Sequence, residues 1–177
     1  MSSTQIREAI EKTAKALAEH PEKARVKNPA ATAVVEDGLR CRVTGPSGEL
    51  VHTDMSPAMG GGGTAPNPGW LMRAALASCN ATGIATQAAK AGINLTRLEV
   101  SVSSETDGRG VLGLDERISP AMEPLEILVK IGARGTPFEG LRKLVQGVCA
   151  RSPVGCTNPS AAIVDIHVDQ ADQNGDG

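Results

Sequence analysis

The sequence predicts an α+β fold, and three observations carry that expectation. A helical period governs residues 3–19, a strand period takes over from Ala31, and a long helix of small residues from Pro68 to about Lys90 separates two groups of strands. In the first helix Ser3 or Thr4 serves as the cap, and Ile6, Ile10, Ala14 and Leu17 recur at helical spacing among charged residues. Pro21 and Pro29 bound a polar connector, so residues 1–28 read as a helix and linker ahead of a main domain at 29–168. Strands are expected at 31–36, 39–44 and 49–54, with turns at Asp37-Gly38 and Pro46-Ser47-Gly48. Asp-Gly between alternating runs marks a tight hairpin, so these strands form an antiparallel meander.

Residues 55–66, with Gly60 to Gly63, are a loop by composition. A phosphate cradle would need the last glycine to lead into a helix through Lys-Ser or Lys-Thr, and neither follows, so the segment reads as a flexible connection to the next helix. Asn67 caps that helix, Pro68 takes its first position and Gly92 ends it. Ala74, Ala75, Ala77, Ala81, Gly83, Ala85 and Ala88 keep it small on nearly every face, so it is read as a central, buried helix with close neighbours. Strands follow at 97–105, near 110–114 after Asp107-Gly108, and at 125–133. A helix at 137–150 opens on Thr136-Pro137, presents Phe138, Leu141, Leu144, Val145 and Val148 on one face, and stops before Ser152-Pro153. A last strand at 161–168 precedes a polar tail, 169–177, expected to be disordered.

Composition narrows function. With 18 basic and 20 acidic residues the formal charge is −2, and the chain holds one Trp, one Phe and no Tyr. Neither the positive field that nucleic-acid backbones or anionic lipids need nor the stacking rings of base and sugar sites are available, so no nucleic-acid or membrane partner is expected. No apolar run is long enough to span a bilayer, and the first twenty residues are interrupted by Arg7, Glu8, Glu11, Lys12 and Lys15, unlike a signal peptide. A cytoplasmic location follows, where Cys41, Cys79, Cys149 and Cys156 are free or reactive thiols rather than disulfides. His20, His52 and His167 are isolated and no cysteine pair has zinc-knuckle spacing, so neither a metal nor a cofactor is expected. His52 and Asp54 share one strand face, which is better read as solvated strand than as a site. Asp172, Asn174 and Asp176 copy half of a calcium loop that lacks its closing Glu, and are read as tail.

Cys79 stands out. It lies about three turns inside the long helix, too far from the N-terminus for the helix dipole to activate it. A reactive thiol therefore needs side chains from elsewhere, and without a charged partner a cysteine is mostly protonated near neutrality.

The run Asn67-Pro68-Gly-Trp70-Leu-Met-Arg73-Ala-Ala-Leu-Ala-Ser78-Cys79, with Ser152-Pro153-Val154 after the second long helix, resembles the family of osmotically inducible protein C and organic hydroperoxide resistance proteins. The likeness covers roughly 30–168. It implies antiparallel sheets packed around a long central helix, an intertwined homodimer with each site at the interface, and peroxide chemistry. In such proteins a helix cysteine attacks the O–O bond, a second cysteine resolves the sulfenic acid, and a dithiol reduces the disulfide. An Arg held by a Glu stabilises the thiolate.

Mapped onto this chain, the peroxidatic position falls on Cys79, the Glu on Gly69 and the resolving cysteine on Ser152, while residues 44–72 contain no Arg. Cys156 and Cys149 are the candidate substitute resolvers, with Cys156 chosen because it lies four residues past Ser152 on the same loop. Arg42 is the catalytic cation chosen from Arg40, Arg42 and Arg151, with Arg73 placed less well. Trp70, Ser152 and Phe138 are the expected pocket residues. The resemblance thus points to a divergent thiol-dependent hydroperoxide reductase. The alternative is a non-peroxidase relative that binds or senses a small apolar or reactive molecule at the dimer interface.

Overall fold

The computed structural model describes residues 2–157 and 162–168. Its elements run α1 (Ser3–Glu19), β1 (Thr32–Asp37), β2 (Arg40–Thr44), β3 (Leu50–Thr53), α2 (Pro68–Lys90), β4 (Leu95–Ser104), α3 (Gly108–Val111), β5 (Leu125–Ala133), α4 (Phe138–Cys149), α5 (Pro153–Thr157) and β6 (Ala162–Val168). The α+β class holds; the tail at 169–177 lies outside the described residues. The chain divides into two compact units, Leu17–Met72 and Met1–Ala16 with Arg73–Gly177.

In the 17–72 unit the predicted meander is present: β1–β2–β3, antiparallel throughout. The first hairpin turns on Gly38 at φ +55°, the left-handed region that glycine enters without penalty. This sheet has almost no interior. Every residue of β1 is exposed, Val35 by 64%, and of the whole unit only Thr53 and Asp54 are buried.

Its best-ordered feature is the glycine segment, which is not slack as its composition suggests. The Asp54 carboxylate accepts hydrogen bonds from the backbone N–H groups of Met55 (2.8 Å), Gly62 (3.3 Å) and Thr64 (3.0 Å), and from Thr64 Oγ1 (2.8 Å). Arg40 donates to the same Thr64 hydroxyl at 2.6 Å. The glycines serve this geometry: a Cβ on Gly61 would run into the Met55 carbonyl. The donors, led by the Thr64 backbone N–H, hold the Asp54 carboxyl below the ordinary carboxylate range. His52 does not pair with Asp54; its ring lies 3.8 Å from Glu36.

The second unit contains the sheet β4–β5–β6. β4 and β5 are antiparallel, but β6 runs parallel to β5, which corrects the expectation of purely antiparallel sheets. The physical reason is the connection: α4 and α5 lie between β5 and β6, and a helical crossover returns the chain to the end from which β5 started. The expected strand at 110–114 is instead the short helix α3. The Asp107 side chain accepts from the Arg109 N–H at 2.9 Å and its carbonyl from Gly110 and Val111, which turns the chain helically.

The core lies in this unit. Leu125, Ile127, Val129 and Ile131 of β5, Leu141 and Val145 of α4, and Leu76 and Ile84 of α2 are all at most 3% exposed. Each such side chain contributes about 1.5–3 kcal/mol. Alternation in β5 and 3–4 spacing in α4 mark the faces that are buried. α2 begins as predicted, with Asn67 Oδ1 accepting from the Trp70 N–H at 2.8 Å. It ends at Gly92, φ +68°, whose following Ile93 N–H reaches back to the Ala88 carbonyl.

Candidate functional site

Helix periodicity divides α2 into working faces. Leu76, Asn80, Ile84 and Ala88, four residues apart, form its buried stripe, while Cys79, Gly83 and Thr86 occupy the adjacent one. Asn80 is fully buried and neither of its amide atoms has a hydrogen-bond partner. On the Cys79 face, glycine at 83 permits a close crossing: a Cβ there would stand 2.7 Å from Val148 Cγ1 of α4. The small side chains of α2 thus bring the α4–α5 junction against the middle of the helix.

That junction carries Ser152. Its hydroxyl donates to Cys79 Sγ at 3.2 Å and accepts from the Gly155 N–H at 3.2 Å, and its carbonyl accepts from the Cys156 N–H at 2.8 Å. Ser152 is therefore both the cap of α5 and the donor to the Cys79 sulfur, and it is 3% exposed. Capping explains its fixed orientation: the N–H of Gly155 occupies one lone pair, which leaves the hydroxyl proton for sulfur.

A cavity of about 330 Å³ opens beside the pair. Thr82, Gly83, Thr86 and Gln87 of α2 form one wall; Val148, Arg151 and Pro153 join Ser152 on the other. No Asp or Glu lines it, and Arg151 is its one charged residue. Among the described residues no carboxylate pairs with Arg151.

The structure brings Cys79 and Ser152 together within one unit, while Arg42 and Trp70 belong to the other unit. Cys156 is exposed at the far end of α5, and its S–H points to the Ala150 carbonyl at 3.5 Å, because one turn of helix carries it away from Ser152. Arg42 lies in the meander, its Nε donating to Glu36 Oε1 at 2.7 Å. Arg40 is engaged by Thr64, and Arg73 by Ser104 and Met122. Neither ring lines the cavity: Trp70 is 50% exposed and Phe138 52%. Phe138 opens α4 and the cavity residue Val148 lies in its last turn, ten residues or about 15 Å along the axis.

All four cysteines are free thiols. Burial pushes the Cys149 thiol up from its ordinary value. In the sequence Arg151 reads only as a candidate cation for the thiol, and its place in the cavity wall has no signal there beyond adjacency to Ser152. Among the described residues no cluster of His, Cys, Asp and Glu could hold a metal ion, and no helix is long and apolar enough to cross a membrane.

Fold and site together define an α+β protein with a thiol set in the middle of a long small-residue helix and capped by a hydroxyl from a helix junction. The sequence profile of the OsmC-like protein family matches residues 60–167, and the chain belongs to that family. No curated protein matches the sequence. Among solved structures, the chain is similar to an OsmC-like protein from Mycoplasma pneumoniae, with 14% identity and a TM-score of 0.68 over 81% of this chain and 99% of that one. It is also similar to an organic hydroperoxide resistance protein from Legionella pneumophila, with 18% identity and a TM-score of 0.60 over 82% and 98%. Another from Elizabethkingia anophelis, with thiocyanate bound, gives 17% identity and a TM-score of 0.61 over 84% and 99%. At these identities the likeness establishes the fold.

Proposed function

We propose that the chain is a thiol-dependent hydroperoxide reductase with Cys79 as its peroxidatic nucleophile. The observation that carries this reading is the 3.2 Å hydrogen bond from Ser152 Oγ to Cys79 Sγ at the cavity wall. The hydroxyl fixes the Cys79 sulfur at the cavity wall, and it is as the thiolate that a cysteine attacks a peroxide. In that attack the Cys79 sulfur bonds the terminal oxygen of ROOH, the O–O bond breaks, and the alkoxide leaves and takes a proton to become ROH. Sulfur is oxidised to the sulfenic acid and the peroxide reduced to the alcohol. The relatives described as organic hydroperoxide resistance proteins support the same substrate class.

A second reading, binding or sensing of a small apolar or reactive molecule without turnover, draws on Gly69 and on the arginine-free stretch 44–72. One assay separates the two. Purified protein with excess thiol should consume cumene hydroperoxide, and Cys79→Ala should fall to the rate of the reagents alone, a loss of at least about 10³-fold. Equal rates for the two proteins refute the reductase reading.

The working form is a homodimer in the cytoplasm, a compartment that keeps thiols such as these reduced. The dimer is supported by the β1–β2–β3 meander, whose Val34, Val35, Leu50 and Val51 are 41–64% exposed and belong to a unit with no apolar core. Light scattering should return about twice the 18.2 kDa chain mass. A mass equal to one chain removes the assembly.

A further inference from the structure

We infer that the cavity beside Cys79 is the docking site of the reductant, a small monothiol bearing a carboxylate, and that Arg151 selects it. The inference rests on the hydroperoxide-reductase reading for the origin of the sulfenic acid, but its docking component is testable without that reading.

The need for an outside thiol comes from the placement of the cysteines. The side chain that hydrogen-bonds the Cys79 sulfur is Ser152, at the position where the family likeness would place a resolving cysteine, and a hydroxyl cannot form a disulfide. Cys156 points to the Ala150 carbonyl, and neither it nor Cys149, the other thiols of this unit, lines the cavity. Within the unit that holds Cys79, a sulfenic acid on that residue therefore faces no described thiol across its cavity, and we assign its reduction to a thiol from solvent. Cys79 lines the cavity, which gives an incoming thiol a path to its sulfur.

The charge of the reductant follows from the walls. Nine residues line the space, and Arg151 is the one of them that carries a charge; among the described residues no carboxylate pairs with it. A guanidinium offers a planar fork of donors that matches a carboxylate bidentately. Gln87 and Thr86 add an amide and a hydroxyl, neutral groups that suit a polar body rather than an alkyl chain. A volume of about 330 Å³ is at the low end of small-ligand sites, which excludes a folded thiol protein inserted bodily but admits a small mercapto acid.

The chemistry balances with the two co-reactants named. The hydroperoxide leaves Cys79 as its sulfenic acid. A first thiolate, R′S⁻, attacks that sulfur; the S–S bond forms, the S–O bond breaks, and hydroxide leaves and is protonated to water. A second R′S⁻ attacks the R′ sulfur of the mixed disulfide, forming R′S–SR′ and releasing Cys79 as thiolate. Two thiols are oxidised for each peroxide reduced. Arg151 is here a positioning residue that holds the carboxylate while the sulfur reacts.

The test compares 3-mercaptopropionate with its uncharged amide, which carry the same primary alkyl thiol on the same two-carbon spacer. Protein carrying the Cys79 sulfenic acid, generated with stoichiometric cumene hydroperoxide, is mixed with each thiol, and the adduct on the Cys79 peptide is timed by mass spectrometry. Wild type should form the adduct about five- to tenfold faster with the carboxylate after correction for thiolate content, and the ratio should shrink in high salt. In Arg151→Gln the ratio should fall to about one. A ratio near one in wild type, or a preference that survives in Arg151→Gln, overturns the inference.

If no sulfenic acid forms, the reductase reading is what has failed. The docking claim is then decided by exchange of reduced Cys79 with 3,3′-dithiodipropionate and with its diamide, read as the same ratio in the same two proteins. Preference for the diacid in wild type only upholds the subsite; equal rates refute it.

Discussion

Ser152→Cys is expected to convert Cys79 from a single reacting thiol into half of a disulfide. On treatment with one equivalent of organic hydroperoxide the variant should become lighter by a pair of hydrogens, with the peptide that holds Cys79 linked to the peptide that holds the substituted position. Wild type should instead become heavier by one oxygen. The geometry makes the change local. The Ser152 Oγ is already 3.2 Å from Cys79 Sγ, and a disulfide needs about 2.05 Å between sulfurs, a closure of about 1 Å that the longer C–S bond partly supplies. The junction between α4 and α5 has to give by the rest.

Turnover with a dithiol should rise relative to a monothiol, because the intramolecular step replaces a bimolecular one and acts at a high effective concentration. The α5 cap weakens at the same time, since sulfur is a poorer acceptor for the Gly155 N–H, so a slightly lower melting temperature is expected as well. Intact mass and peptide mapping decide the matter. A variant that accumulates one or two added oxygens on Cys79 and no linked peptide would show that the two positions do not approach as described.

The second large effect concerns Asp54. Asp54→Asn should release the 55–66 segment and expose it to proteolysis, while the β4–β5–β6 unit keeps its core. The carboxylate takes four hydrogen bonds at 2.8–3.3 Å and offers none; an amide presents one oxygen and two N–H donors to a ring of donors. Two of the four donors lose their acceptor, and a buried N–H without a partner is costly.

Acid should do the same reversibly. The folded state holds Asp54 below the ordinary carboxylate value, so its contribution is fully present above the unfolded-state value, about 3.9, and is lost as pH falls further and through the folded value. In limited proteolysis at acid-tolerant conditions, cleavage within 55–66 should therefore appear as pH drops below about 4 and be suppressed again on return to neutrality. In Asp54→Asn the cleavage should be present throughout. Resistance of the variant at neutral pH would mean the loop is held by something other than this carboxylate.

These two residues also mark how far the sequence could be read. The long helix was legible because its start and stop are local chemistry: Asn67 captures the Trp70 N–H, and Gly92 takes a left-handed turn. β5 and α4 were legible because alternation and 3–4 spacing report burial directly. The direction of β6 was not, since alternation says which face of a strand is buried and nothing about which way its neighbour runs. The apolar Val111-Leu112 pair looks like strand until Asp107 winds the chain before it. Asp54 was hidden for a related reason: its partners Gly62 and Thr64 are eight and ten residues away, and a glycine run does not announce which carboxylate will organise it. At the site, Cys79 was visible as the polar interruption of a small-residue helix. Its pairing with Ser152, 73 residues on, became a candidate only through the family likeness.

Trp70 stands on the first turn of α2, half exposed, and it is the chain's one indole; there is no tyrosine. It falls in the same compact unit as Asp54, whereas the sole phenyl ring, Phe138, falls in the other. Ultraviolet emission from this protein is consequently dominated by a single indole, a reporter at the start of α2 just after the clamped loop. Far-ultraviolet dichroism, weighted toward α2, α1 and α4, reports the helices instead. Recorded side by side, the two spectra give separate readings of two parts of one chain without any added label.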